Sequence, residues 1–148
     1  MSTCLPESAA ELKTRALKLL ARREHSREEL ARKLSPHAES PEVLESVLRE
    51  LESKKQLSNE RFAEVRANWL ARKYGAAKIR HDLESKGVEQ HLVDRVSAAG
   101  ELERAQAILA RKYRVPATTR GERANRARFL QGRGFSSDVI RLLILNKV

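Results

Sequence analysis

Leu70-Ala71-Arg72-Lys73-Tyr74 recurs unchanged as Leu109-Ala110-Arg111-Lys112-Tyr113, and Leu20-Ala21-Arg22-Arg23-Glu24 is a weaker copy. A shared pentapeptide in a chain rich in Ala and Arg decides little by itself; the residues downstream decide it. Leu83 is followed by Gly87, Val88, Leu92, Val93 and Val96, and Leu130, at the same spacings, by Gly134, Phe135, Val139, Ile140 and Leu143. Leu34 heads a third series, Ala38, Glu39, Val43, Leu44 and Val47, in which the glycine and the apolar residue after it are replaced. Self-similarity at a spacing of a few tens of residues marks a repeat architecture.

Three units follow: residues 10–56, 57–100 and 101–148, behind an N-terminal tail of residues 1–9. Each reads as three helices. The first helices are expected over 10–24, 59–74 and 101–113, the second over 27–35, 76–86 and 120–133, and the third over 41–54, 89–99 and 137–146. Apolar pairs four residues apart, Leu30/Leu34, Ile79/Leu83 and Leu92/Val96, define buried faces. Ser26-Arg27-Glu28-Glu29 fits a capping box, Ser40-Pro41 sets a cap before a proline suited to the first helical turn, and Thr119-Arg120-Gly121-Glu122 offers a second box. Gly75, Gly87 and Gly134 fall where left-handed C-caps are expected. The third unit carries an insertion, residues 114–121, after its first helix. Helices this short are marginal alone, so stability is expected from packing within and between units. The expected fold is all-α: three tandem three-helix repeats forming an elongated, curved array.

Composition agrees. Of 148 residues, 41% are hydrophobic, 34% charged and only 4% aromatic, a palette of helices rather than strands. The single cysteine, Cys4, excludes an internal disulfide framework and a cysteine-built zinc site. No stretch approaches the roughly 18 apolar residues of a spanning helix, and the N-terminus lacks a secretory pattern. A soluble cytoplasmic monomer with no membrane association is the expectation.

The net charge of +10 favours an anionic partner and is unevenly placed. Residues 1–56 hold 11 basic and 10 acidic side chains, residues 57–100 hold 8 and 6, and residues 101–148 hold 11 and 4. Between residues 104 and 133 only Glu122 opposes Arg104, Arg111, Lys112, Arg114, Arg120, Arg123, Arg126, Arg128 and Arg133. Such a run can be a solvated helix face. Two features point instead to an anion-binding surface. The cations are nearly all arginine, suited to bidentate phosphate or carboxylate contacts, and they lack acidic neighbours one turn away. Arg126 aligns with Leu30 and Ile79, which are core positions, so either the register slips there or the helix turns another face outward.

No catalytic constellation survives inspection. His25, His37, His81 and His91 lack metal-ligand spacing and read as surface residues. Gly132-Arg133-Gly134 begins like a dinucleotide fingerprint, but Ser137 stands where the third glycine belongs and no strand precedes it. Cys4 has no base nearby, and adjacent Glu28 and Glu29 point apart on a helix. No cofactor and no metal are expected. Phe62, Trp69, Phe129 and Phe135 lie at core spacing, whereas Tyr74 and Tyr113 either pack across helix ends or stack on a base or a partner's side chain.

Four pieces in order resemble the RecX family, regulators of RecA. Arg15-Ala16-Leu17-Lys18-Leu19-Leu20-Ala21-Arg22-Arg23-Glu24-His25-Ser26-Arg27-Glu28-Glu29-Leu30-Ala31-Arg32-Lys33-Leu34 looks like the opening repeat. Leu57-Ser58-Asn59-Glu60-Arg61-Phe62-Ala63 is similar to the start of the second, and Tyr74-Gly75-Ala76-Ala77-Lys78-Ile79-Arg80-His81-Asp82-Leu83-Glu84-Ser85-Lys86-Gly87-Val88 to the middle signature. Arg128-Phe129-Leu130-Gln131-Gly132-Arg133-Gly134-Phe135 is similar to the last. The sequence departs at Lys55-Gln56, where the family often has glycine, at Ser58-Asn59, where it has acidic residues, and near Ala38, where glycine is expected. The resemblance implies a non-enzymatic modulator that binds in the groove of the RecA filament on single-stranded DNA. It would mostly oppose assembly, ATP hydrolysis, strand exchange and co-protease activity. On charge and repeat position, the candidate anchors are Arg72, Lys73, Lys78 and Arg80 with Arg111, Lys112, Arg123, Arg126, Arg128 and Arg133. A direct DNA-binding protein of helix-turn-helix type is the alternative; it would bind naked DNA tightly, whereas a groove-binding modulator would show at most weak direct DNA binding.

Overall fold

The computed structural model describes residues 5–145, so the expectation for Cys4 lies outside the described residues. Nine α-helices follow one another among them: α1 (Ala9–Arg22), α2 (Arg27–Leu34), α3 (Pro41–Ser53), α4 (Asn59–Leu70), α5 (Ala76–Ser85), α6 (Gln90–Val93), α7 (Glu101–Lys112), α8 (Arg120–Gly132) and α9 (Ser137–Ile140). They fall into three successive three-helix groups. A 3₁₀ turn, Ser35–His37, follows α2, and a π turn, Arg141–Leu145, follows α9. The described residues hold no strand, only an isolated bridge between Glu7 and Ala38. Among the described residues no helix is long and apolar enough to cross a membrane.

Side chains set the helix starts. Ser26 Oγ accepts from Glu29 N while the Glu29 carboxylate accepts from Ser26 N, a complete capping box, and Ser8 with Glu11 forms another on α1. Ser40 caps α3 ahead of Pro41. Thr119 caps α8 through Glu122 N, but the Glu122 carboxylate reaches back to Thr118 N instead of Thr119 N.

Several ends differ from expectation. Gly87 and Gly134 adopt left-handed φ of 76° and 87°, as their C-cap positions require, but Gly75 does not. Gly75 is needed for space: a Cβ there would stand 2.4 Å from the carbonyl oxygen of Gly134. The helix expected over 89–99 stops at Val93. Val96 O is taken by Arg80 of α5 and Ser97 Oγ takes the amide of Ala99, so a tertiary and a local side-chain bond compete with the helical ladder. Lys55 stands at φ 59° in the position where glycine was missed. Lys55 N donates to Glu52 O at 3.0 Å and Gln56 N to Leu51 O at 2.9 Å, a full Schellman pair closed by a lysine.

The chain packs as two compact units, residues 1–65 with 84–92, and residues 66–83 with 93–148. In the first, α1, α2 and α3 enclose Leu12, Ala16, Leu30, Leu34, Val47, Leu48 and Leu51, with Leu57 closing the cluster. In the second, α7, α8 and α9 enclose Ala105, Ile108, Leu130, Phe135, Val139, Ile140 and Ile144. The middle helices contribute to both. Since α4 passes from one unit to the other after Val65, the stripe that buries Phe62 does not continue to Trp69. Trp69 is therefore 55% exposed rather than core, with the Arg66 guanidinium 5.3 Å from its ring.

Each unit contains the same joint. In the first, the turn ending α5 lies on the start of α2: Ser26 Oγ donates to Lys86 O at 2.8 Å, and a Cβ on Gly87 would strike Glu28. In the second, the turn ending α8 lies on the start of α5: Gly75 N donates to Arg133 O at 2.7 Å and Ala77 N to Gly134 O at 3.3 Å. The last carbonyls of one repeat's second helix thereby satisfy donors that the preceding repeat's second helix leaves unpaired.

Candidate functional site

The second joint fixes the geometry of the candidate cations. Lys78, in the first turn of α5, sends Nζ to Gly132 O at 3.1 Å and lies 4.9 Å from the centre of the Tyr74 ring. Arg133, at the end of α8, holds its guanidinium 5.3 Å from the Tyr74 ring and 5.0 Å from Phe129. Lys112, at the end of α7, lies 4.6 Å from Phe129 and 5.8 Å from Tyr113. Arg126 lies 4.5 Å from Tyr113 and donates to Val115 O at 2.7 Å. Phe129 and Tyr113 meet edge to face, 6.0 Å apart at 85°. Four cations thus alternate with three rings along one row: Arg126, Tyr113, Lys112, Phe129, Arg133, Tyr74, Lys78. Ring quadrupoles offset part of the repulsion between neighbouring positive charges.

The Arg126 alignment is resolved by this row. Leu34, Leu83 and Leu130 are all fully buried, so the repeat register holds. At the position of buried Leu30 and Ile79, the third repeat places a half-buried arginine on Tyr113, and residues of the insertion supply its carbonyl partner.

The other six candidates do not join the row. Arg111 donates to Arg72 O at 2.8 Å, which brings two of them together from the matched pentapeptides. Arg80 donates to Val96 O, Arg128 to Asn125 Oδ1, Lys73 is exposed and Arg123 half-buried.

Compensation sets these cations apart from most arginines of the first unit. In the first unit Lys13 pairs with Glu50, Arg15 with Glu7, Arg23 with Glu29, Arg27 with Glu45 and Glu52, and Arg61 with Glu24. Hydrogen bonds from Arg15, Arg27 and Lys13 hold Glu7, Glu45 and Glu50 below the ordinary carboxylate range. Among the described residues none of the ten candidates shares an ion pair with a carboxylate; ring faces and main-chain oxygens hold Lys78, Arg80, Arg111, Lys112, Arg126 and Arg133 instead.

Three groups escaped the reading of the sequence. The rings of Tyr74, Phe129 and Tyr113 form the platform; Tyr74, Tyr113 and Arg126 stand out in the sequence one by one, but not as a single cluster. Glu101, 4% exposed, accepts from Ala76 N at 3.3 Å and so caps α5 in place of Gly75, which has no side chain. His25 is 1% exposed rather than on the surface; its Nδ1 meets Arg23 O at 3.0 Å and its Nε2 meets Lys33 Nζ at 2.9 Å. His81 and His91 are exposed.

Comparison with known proteins gives one result along the chain. Residues 13–51, 58–96 and 99–144 match in turn the family models for the first, second and third three-helix domains of RecX. Regulatory protein RecX of Herbaspirillum seropedicae is 44% identical over 140 residues, covering 93% of this chain and 91% of its own length. That of Leptothrix cholodnii is 45% identical over 136 residues, covering 90% and 87%. A crystal structure of RecX from Lactobacillus salivarius superposes with a TM-score of 0.79 at 18% identity, covering 93% of this chain and 94% of that one. At that identity the likeness concerns the fold alone.

Proposed function

The chain belongs to the RecX family of regulatory proteins, and from that premise we propose that it regulates the RecA recombinase in the cytoplasm without catalysing a reaction. It binds in the groove of the RecA filament on single-stranded DNA and opposes filament growth, with ATP hydrolysis, strand exchange and co-protease activity falling as a consequence. The anchors are Arg72, Lys73, Lys78, Arg80, Arg111, Lys112, Arg123, Arg126, Arg128 and Arg133, and their role is electrostatic.

The observation that supports this reading is the lack of carboxylate partners for those ten side chains, in a protein whose other arginines are repeatedly paired. A cation already bridged to its own carboxylate has little left to offer a partner; one resting on a ring or a carbonyl keeps its net charge.

The test is RecA ATPase on single-stranded DNA, followed as the protein is added in substoichiometric amounts. The unaltered chain lowers the rate. Arg123→Glu with Arg126→Glu and Arg128→Glu removes most of that inhibition. Because Arg126 also packs on Tyr113, Arg72→Glu with Lys73→Glu, both exposed, is the second variant and weakens inhibition too. Inhibition unchanged in both variants would place the anchor elsewhere. A titration of naked duplex DNA at several salt concentrations addresses the helix-turn-helix alternative. Tight binding without RecA, with a log–log salt slope of about −0.9 per phosphate, would favour it.

A further inference from the structure

The row of cations and rings in the second unit has a chemistry that the regulatory reading does not specify. Both tyrosines that could have stacked on a base carry cations near their rings: Lys78 and Arg133 at Tyr74, Arg126 and Lys112 at Tyr113. Phe129 has both Lys112 and Arg133 near its ring and meets Tyr113 edge-on. Rings engaged in this way serve as platforms for charge rather than as free stacking surfaces for nucleobases. The cations, for their part, spend only some of their N–H groups internally. Lys78 gives one contact to Gly132 O and Arg126 one to Val115 O.

A succession of cations, held in order by the rings between them and uncompensated by carboxylates, matches an anion with regularly repeated charge. An acidic protein surface presents separate carboxylates. The first unit shows how this chain meets those: Arg23 forks onto Glu29 and Arg61 onto Glu24. We infer that Arg126, Lys112, Arg133 and Lys78 form a sequence-indifferent site for the phosphodiester backbone of a single strand, with Tyr113, Phe129 and Tyr74 as its supports. The inference deepens the regulatory reading and rests on it only for the presence of DNA in the target. It assigns the row to the strand and leaves the remaining candidate cations to the recombinase.

The experiment uses the full chain without RecA, so its failure and the failure of the regulatory reading are separable. Fluorescence anisotropy at low salt compares labelled oligo(dT) with an oligomer of the same length made of abasic nucleotides. The two bind with affinities within about threefold of each other, and the log–log salt slope is near −3, about −0.7 for each of four phosphates. Lys112→Gln with Arg133→Gln cuts the slope by about half. Phe129→Leu weakens both oligomers alike, and Phe129→Tyr, which keeps a ring, restores binding; thermal melts confirm that each variant is folded. Three results would overturn the assignment: an abasic oligomer bound tenfold or more weakly, which means base stacking; poly-glutamate competing as well as the oligomers, which means carboxylate recognition; or a slope untouched by the glutamine pair, which removes the row from the site.

Discussion

Burial disfavours the charged form of His25 in the folded protein, and the nearby charges of Arg23 and Lys33 act in the same direction against the Arg23 carbonyl and Glu29. Its pKa lies below the ordinary value, whereas the unfolded chain takes up the proton near about 6.5. The sign follows: between that point and the lower folded value the unfolded state binds more protons, so stability falls as pH falls and is unaffected above it. Thermal melts from pH 8 to pH 5 should show this slope, and His25→Gln should flatten it. The paired glutamates act in a separate, more acidic window. Glu7, Glu45 and Glu50 are held below the ordinary carboxylate value of 4.5, so their contribution is present above that value and lost as pH falls through the folded one. Lys55 offers a second test. A non-glycine residue in the left-handed region costs about 1 kcal/mol, so Lys55→Gly should stabilise by about that amount in urea unfolding. Lys55 was noticed in the sequence only as a missing glycine; that the turn persists without one depends on its two main-chain bonds. His25 was misread for a related reason: its place before a cap residue says nothing of Lys86 O arriving on Ser26 from a distant part of the chain.

At the scale of elements, the glycines separate into those that make joints and those that do not. Gly75→Ala would force a Cβ against the main chain of Gly134 and Phe135, which cannot move as a side-chain tip could. It should destabilise by about 1–3 kcal/mol. Gly132, on α8, has open space around its missing Cβ, and Gly121 only a distant Thr119 hydroxyl. Gly132→Ala and Gly121→Ala should each be neutral or stabilising, by up to about 1 kcal/mol. Chemical denaturation of the three variants checks the contrast. Apolar spacing and caps read from the sequence placed all three groups of helices correctly, since those signals are local: Leu30/Leu34 and Ser26 lie within one helix and its cap. The short α6 was over-extended because its stop signals, Arg80 on Val96 O and Ser97 on Ala99, come from tertiary or side-chain competition. The candidate site was half legible. Its cations stood out as charge without counter-charge, but the ring platform depends on α5, α7 and α8 converging, and no spacing in one helix encodes that.

For the molecule as a whole, the joint between repeats is one that could continue from copy to copy. It is heterologous, a C-terminal turn set on a helix start, and contacts of that kind run on as open polymers unless something ends them. Both unused halves are closed internally. The carbonyl of His37 is the first repeat's counterpart of Lys86 O and Arg133 O, and it accepts from Glu7 N at 2.8 Å; the Glu7 side chain is in turn held by Arg15. The missing glycine near Ala38 is explained by the same contact, since that turn bridges to Glu7 instead of seating on another helix. At the other end, Glu122 aligns with Ser26 and Gly75 but lies inside α8, because that helix begins earlier, and its amide is already bonded to Thr119 Oγ1 at 3.0 Å. The amide that corresponds to the Gly75 donor is therefore already taken. A net charge of +10 adds repulsion between copies. Sedimentation velocity from micromolar to hundreds of micromolar should therefore show a monomer throughout. Glu7→Pro, which removes the donor to His37, should lower stability by about 1 kcal/mol while the mass stays monomeric, since the α8 end remains closed. Head-to-tail association of the unaltered chain would mean that the extended start of α8 does not end the series.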